Sequence, residues 1–156
     1  VPGNVFLDFH YGDAAAVEVL TRVLQSSRKR EEEFLRRSAA RSIGQIAQII
    51  QTGVVKVVTP ESFILEKNRI VRTAQYPRLL EYFPVFRAAN DALIQKIQNR
   101  ESSDDVRREA AFALGAIGDE SALSVLRANS NSEDYYLAQI AREAVEKILD
   151  NRRITN

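Results

Sequence analysis

Val106-Arg-Arg-Glu-Ala-Ala-Phe-Ala-Leu-Gly-Ala-Ile117 has two copies elsewhere in the chain. The upstream copy is Leu35-Arg-Arg-Ser-Ala-Ala-Arg-Ser-Ile-Gly-Gln-Ile46. A fainter downstream copy is Leu137-Ala-Gln-Ile-Ala-Arg-Glu-Ala-Val-Glu-Lys-Ile148. The first two keep an Arg pair, an Ala pair and an apolar-Gly step in the same register. The third keeps the apolar frame and loses the Arg pair and the Gly. A second alignment precedes the first: Gly12-Asp13-Ala-Ala-Ala-Val17-Glu-Val-Leu20 matches Gly118-Asp119-Glu-Ser-Ala-Leu123-Ser-Val-Leu126. Two elements therefore recur per unit, which is the signature of stacked helical pairs, an array in which each unit buries its apolar side only against its neighbours.

The expected architecture is all-α, a right-handed α-α superhelix of the HEAT/armadillo solenoid type carrying an inserted helix. Repeat pairs are expected at about 13–51, 78–117 and 119–150, an insertion at about 52–77, and a frayed tail at 151–156. Helix one begins at Asp13 as N-cap and turns Val17, Leu20 and Leu24 inward. The second, from about 30 to 51, carries a buried stripe of Phe34, Leu35, Ala39, Ile43, Ile46, Ala47 and Ile50, and Gly53 stops it. Thr59-Pro60-Glu61 starts the extra helix, since Thr caps free N–H groups and Pro suits the first helical position. A helix over 78–98 bends near Pro84, and Asp104-Asp105 open the next one at the positive end of its dipole. Asn129-Ser-Asn-Ser132 is a turn that closes the last pair.

At residue level the run from Val106 to Asp119 resembles the HEAT-like repeat family, in particular the short repeats of phycobilisome lyases. Segment 12–46 is similar too, and 119–148 less so; the resemblance covers a little over half of the chain. It implies the solenoid fold and, as an expectation about function, a surface that holds another molecule.

Composition agrees with one soluble helical domain. In 156 residues, 45% are hydrophobic and 28% charged, the balance of a chain that can bury a core and stay in solution. No apolar run approaches the ~18 residues of a membrane span, and no secretory leader is expected. Cys is absent, which removes disulfides, thiolate nucleophiles and cysteine-based zinc sites and suits a cytoplasmic or plastid-stroma location. Met is absent as well, so the chain is expected to be processed or cut from a longer protein. His10 is the only histidine and has no second ligand near it in sequence, so no metal is expected. No catalytic constellation and no obligate cofactor are expected.

Two surfaces are candidates. The outer ridge of the second helices places Arg37 and Arg41, then Arg108 and Phe112, then Gln139 and Glu143 at matching positions, a groove suited to an acidic segment of a protein partner. The insertion gathers aromatic residues, of which Tyr76, Tyr82 and Phe83 are the docking candidates. Arg36 and Arg107 are expected to be structural, each reaching a carboxylate of an adjacent turn. The reading that follows is a non-enzymatic interaction scaffold or adaptor, part of a longer helical-repeat protein. The resemblance implies an alternative, a subunit of a bilin lyase or phycobiliprotein chaperone, in which Arg37, Arg41 and Arg108 meet bilin propionates. Nucleic-acid binding is the third reading; a net charge of +1 and the absence of Trp weigh against it.

Overall fold

A computed structural model of the chain describes residues 5–26, 30–52 and 78–155. Its α-helices are α1 (Val5–Gln25), α2 (Glu33–Thr52), α3 (Leu79–Tyr82), α4 (Phe86–Gln98), α5 (Asp104–Ile117), α6 (Leu123–Asn129) and α7 (Tyr135–Thr155). Short 3-10 turns at Arg30–Glu32 and Glu120–Ala122 lead into α2 and α6. Among the described residues there is no strand.

The helix boundaries follow from local chemistry. Ser103, in extended geometry at φ −63° and ψ 156°, accepts a hydrogen bond from Val106 N at 3.3 Å, and Asp104 and Asp105 fill the first turn of α5. The same helix ends where Gly118 takes a left-handed φ of 80° and donates its N–H to Leu114 O. Pro84 divides the expected helix over 78–98 into α3 and α4, with Phe83 between them at φ −131° and ψ 77°, outside helical geometry.

Helices α1, α4 and α6 form one row and α2, α5 and α7 a second. Each pair, α1–α2, α4–α5 and α6–α7, packs together, and along the second row α2 lies on α5 and α5 on α7. The core runs between the rows through Val17, Leu24, Ile43, Phe86, Leu93 and Leu114, all fully buried. Alanines at 39, 40, 110, 111, 113, 141 and 144 let the second-row helices approach closely.

Several expectations change. Asp13 lies inside α1, because that helix begins at Val5. Phe34 and Leu35, in the first turn of α2, are exposed, at 68% and 51%, while the rest of their stripe is buried or partly so. The tail is helical through Thr155: Asn151 is buried beside Gly118, and Arg152 Nε lies 3.6 Å from Glu120. The expected insertion, with its helix at 59–75 and Tyr76, falls outside the described residues apart from Thr52, which ends α2.

Candidate binding ridge

The outer edge of the second row carries the ridge residues, and the structure brings them together as a ladder of ion pairs. Arg37 Nη1 lies 3.6 Å from Asp105 Oδ2, and the other oxygen of Asp105 lies 3.5 Å from Arg108 Nη1. Arg108 then grips Asp134 with both arms of its guanidinium, donating from Nε at 2.8 Å and from Nη2 at 2.9 Å. One turn further along α2, Arg41 donates to Glu109 Oε1 from Nε at 2.7 Å and lies 2.6 Å away through Nη2; the Glu109 side chain is almost wholly enclosed. The Arg37–Asp105, Arg41–Glu109 and Arg108–Asp134 contacts each join one helical pair to the next, while Asp105–Arg108 lies within α5, so the three arginines expected to face a partner are each paired with a carboxylate of the array.

Asp134 carries the end of that ladder into α7. Its Oδ1 also accepts from the backbone N–H groups of Tyr136 (3.1 Å) and Leu137 (3.3 Å), capping the helix. Burial pushes its carboxyl up, but the Arg108 hydrogen bonds and charge and the two backbone donors outweigh this and hold it below the usual aspartate range. The Arg108 guanidinium is shifted upward, first by its hydrogen bonds to Asp134. At the opposite end Glu33 does a similar service: it pairs with Arg36 and accepts from Ser103 N at 2.9 Å, tying the start of α2 to the start of α5. Partial burial raises the Glu33 carboxyl, and the Ser103 and Arg36 contacts bring it to a net value below normal.

Arg36 thus has the expected structural role. Arg107 is structural by another route, donating to Ile97 O at 3.2 Å and Asn129 Oδ1 at 3.0 Å rather than to a carboxylate.

Phe112 is not on the outer side. It is 3% exposed, because the absent side chain of Gly44 leaves room for its ring against α2, and Lys147 Nζ closes over the other side at 5.7 Å from the ring centre. Gln139 and Glu143 are half-buried on α7. Of the insertion candidates, Tyr82 is 50% exposed and Phe83 is buried, packed in the core ahead of α4; Tyr76 is outside the described residues.

What the sequence reasoning missed is a pair of tyrosines in the first turn of α7. Tyr135 and Tyr136 are both exposed, their rings meet edge to face with centroids 5.8 Å apart, and Arg108 Cζ stands 5.2 Å from the Tyr136 ring centre. The signal was present: two adjacent aromatic residues directly after a capping Asp lie ahead of the buried stripe that starts at Leu137.

A polar cleft lies between the second and third pairs, with α3 and the start of α4 on one side and the Gly118–Glu120 turn and the C-terminal part of α7 on the other, and is lined by Arg78, Glu81, Arg87, Asp119 and Arg152 among others. Among the described residues no group of three potential metal ligands exists, and no helix is long and apolar enough to cross a membrane.

Comparison with curated proteins and with solved structures gives no match. The family model for HEAT repeats matches residues 66–146, more than half of the chain, and with helical pairs stacked in two rows the conclusion is direct: this chain belongs to the HEAT-repeat family.

Proposed function

We propose that this chain is a non-enzymatic protein-interaction module, a scaffold or adaptor working in the cytosol or plastid stroma, and that it engages its partner through the ridge around Tyr135, Tyr136 and Arg108. HEAT repeats generally mediate protein–protein interaction. The observation that carries the choice of ridge is the exposed tyrosine pair buttressed by an arginine already fixed by Asp134. Tyrosines give large contact area and a hydroxyl for little lost rotamer freedom, and a braced aromatic pair is pre-organised for contact. Because Arg37, Arg41 and Arg108 are neutralised by Asp105, Glu109 and Asp134, the partner feature that fits is an apolar or aromatic side chain with hydrogen-bonding neighbours, in place of an acidic segment.

The same pairing leaves the bilin alternative without a specific supporting contact, since the arginines it would set against propionates already face carboxylates. Nucleic-acid binding has only the near-neutral charge to draw on.

Affinity capture from native extract tests the reading, with the wild type compared to the Tyr135→Ala/Tyr136→Ala double variant and to Gln95→Ala, at an exposed position of α4, as a surface control. A protein retained by wild type and control and lost by a double variant of unchanged helicity supports the ridge. Identical captures by all three overturn it, and a coloured eluate would bring the bilin reading forward.

A further inference from the structure

Tyr135 and Tyr136 open α7 at the register where Asp104 and Asp105 open α5. Helix α5 is flanked on both sides, by α2 and by α7, and both of its first-turn aspartates are nonetheless exposed. This edge of the second row therefore stays in solvent whatever packs against the faces of its helices, and a further helix beyond α7 would leave the two rings open as well. The charges left over in these first turns are of one sign. Arg37 and Arg108 are paired with Asp105 and Asp134, whereas Asp104 and Glu133 are exposed and make no ion pair among the described residues. The next cation along α7, Arg142, stands two turns beyond Tyr135 and donates to Asn131 Oδ1 at 3.4 Å.

Proteins hold peptides in a few recurring ways, and most of them ask for something this edge lacks. Strand addition needs a sheet edge, and there is no strand among the described residues. An amphipathic helix needs an apolar strip for anchors spaced over two turns, about 11 Å. Among the described side chains of α5, α6 and α7 the only exposed large apolar ones are the two tyrosines. An acidic or phosphorylated segment needs free arginines, and here it would meet Asp104 and Glu133 instead. A polyproline II segment asks only for aromatic surface and hydrogen-bond donors. It is preformed, so it loses little entropy on docking, and none of its backbone carbonyls is used internally. Rings 5.8 Å apart and 77° to one another make a corner for a flat pyrrolidine ring. The two phenolic O–H groups make no hydrogen bond among the described residues and are free to donate to those carbonyls.

We propose that the tyrosine edge is a receptor for a proline-rich segment in the polyproline II conformation that carries a Lys or Arg beside its prolines. The prolines lie on Tyr135 and Tyr136, and the cation meets Glu133 and Asp104. This rests on the reading of the ridge as the binding surface and adds the class of partner to it.

The full chain is titrated with a dye-labelled, blocked polyproline peptide ending in Arg, and binding is read by fluorescence anisotropy. A Gly-Ser peptide of the same length and the same Arg end is expected to bind about tenfold more weakly or not at all, because it must be ordered on docking. Tyr135→Ala/Tyr136→Ala, with helicity unchanged, is expected to weaken the polyproline peptide about tenfold or more. Asp104→Asn/Glu133→Gln is expected to weaken it about twofold to tenfold and to flatten its dependence on salt. The proposal is overturned if the polyproline peptide does not bind, if the Gly-Ser peptide binds as tightly, if a polyproline peptide ending in Glu does so, or if binding survives loss of both tyrosines. Competition with a protein captured from native extract through the tyrosines separates this proposal from the reading beneath it. Displacement of that protein by the polyproline peptide supports the proposal. Displacement by a helical Leu/Lys peptide alone leaves the ridge as the binding surface and removes the proline-rich class, whereas capture that does not depend on the tyrosines overturns the ridge itself.

Discussion

Asp134 is one carboxylate performing two tasks, closing the Arg37–Asp105–Arg108 ladder and capping α7. Its folded state holds the proton less tightly than the unfolded chain does, since the Arg108 and backbone donors outweigh burial. A depressed folded value means that the stabilising contribution is complete above the unfolded aspartate value of about 3.9 and is lost as pH falls through the folded one. Acid should therefore weaken the wild type progressively below about pH 5, and Asp134→Asn, which cannot titrate, should show a shallower fall over the same window. Urea midpoints at pH 6 and pH 3 check this; parallel falls in the two proteins would mean that Asp134 gains nothing from its partners on folding. Arg108→Glu belongs at the same scale. The reversed charge would stand against both Asp105 and Asp134, and a loss of about 2 kcal/mol is the expected result.

Among the elements, α5 is clasped on both sides through glycine and alanine, and this gives a sign test. At an open helical site Gly→Ala stabilises by about 1 kcal/mol through backbone entropy. At Gly115 the new methyl would sit 2.8 Å from Cβ and 2.9 Å from Cα of Ala144, and backbone cannot step aside, so Gly115→Ala should instead cost about 1–3 kcal/mol. Thermal or urea unfolding decides it, and a stabilised variant would mean that α5 and α7 are not in that close register. The repeated Ala pairs and glycines were legible as a helix-pair array because their spacing is a property of one helix. Phe112 was not, since a single-helix wheel points it outward and only the approach of α2 over Gly44 encloses it. The ion pairs of the arginine ridge were hidden for the same reason: Glu109 and Asp134 stand 68 and 26 positions from Arg41 and Arg108 on other helices, and Asp105, three positions before Arg108 in α5, also meets Arg37 of α2. Residues 151–155 have no apolar repeat to announce them and are held by Asn151 against Gly118 and by Arg152 near Glu120.

For the molecule as a whole, one continuous core runs between the two rows while each helical pair packs chiefly on its neighbours, so stability is expected to depend on those nearest-neighbour joints. The third pair, α6–α7, is held to the rest chiefly where α7 lies on α5, at the crossing of Ala144 over Gly115, with the Arg108–Asp134 pair and Lys147 over Phe112 beside it. Enlarging the side chain at that crossing should loosen one joint and spare the other. Ala144→Leu wedges three more carbons into a contact with no spare room, which costs about 1–3 kcal/mol. The expected outcome in native-state hydrogen exchange is faster exchange throughout α6 and α7, with α2 and the α2-facing side of α5 keeping most of their protection. A fall spread evenly over α2, α5 and α7 would show that the array unfolds as one unit and that its joints are not separable. Local loosening would also report on the ridge, because Tyr135 and Tyr136 start α7 while their brace, Arg108, belongs to α5. A binding surface that straddles a joint is sensitive to that joint, so Ala144→Leu should weaken partner capture without touching either tyrosine, in proportion to the protection lost from α7.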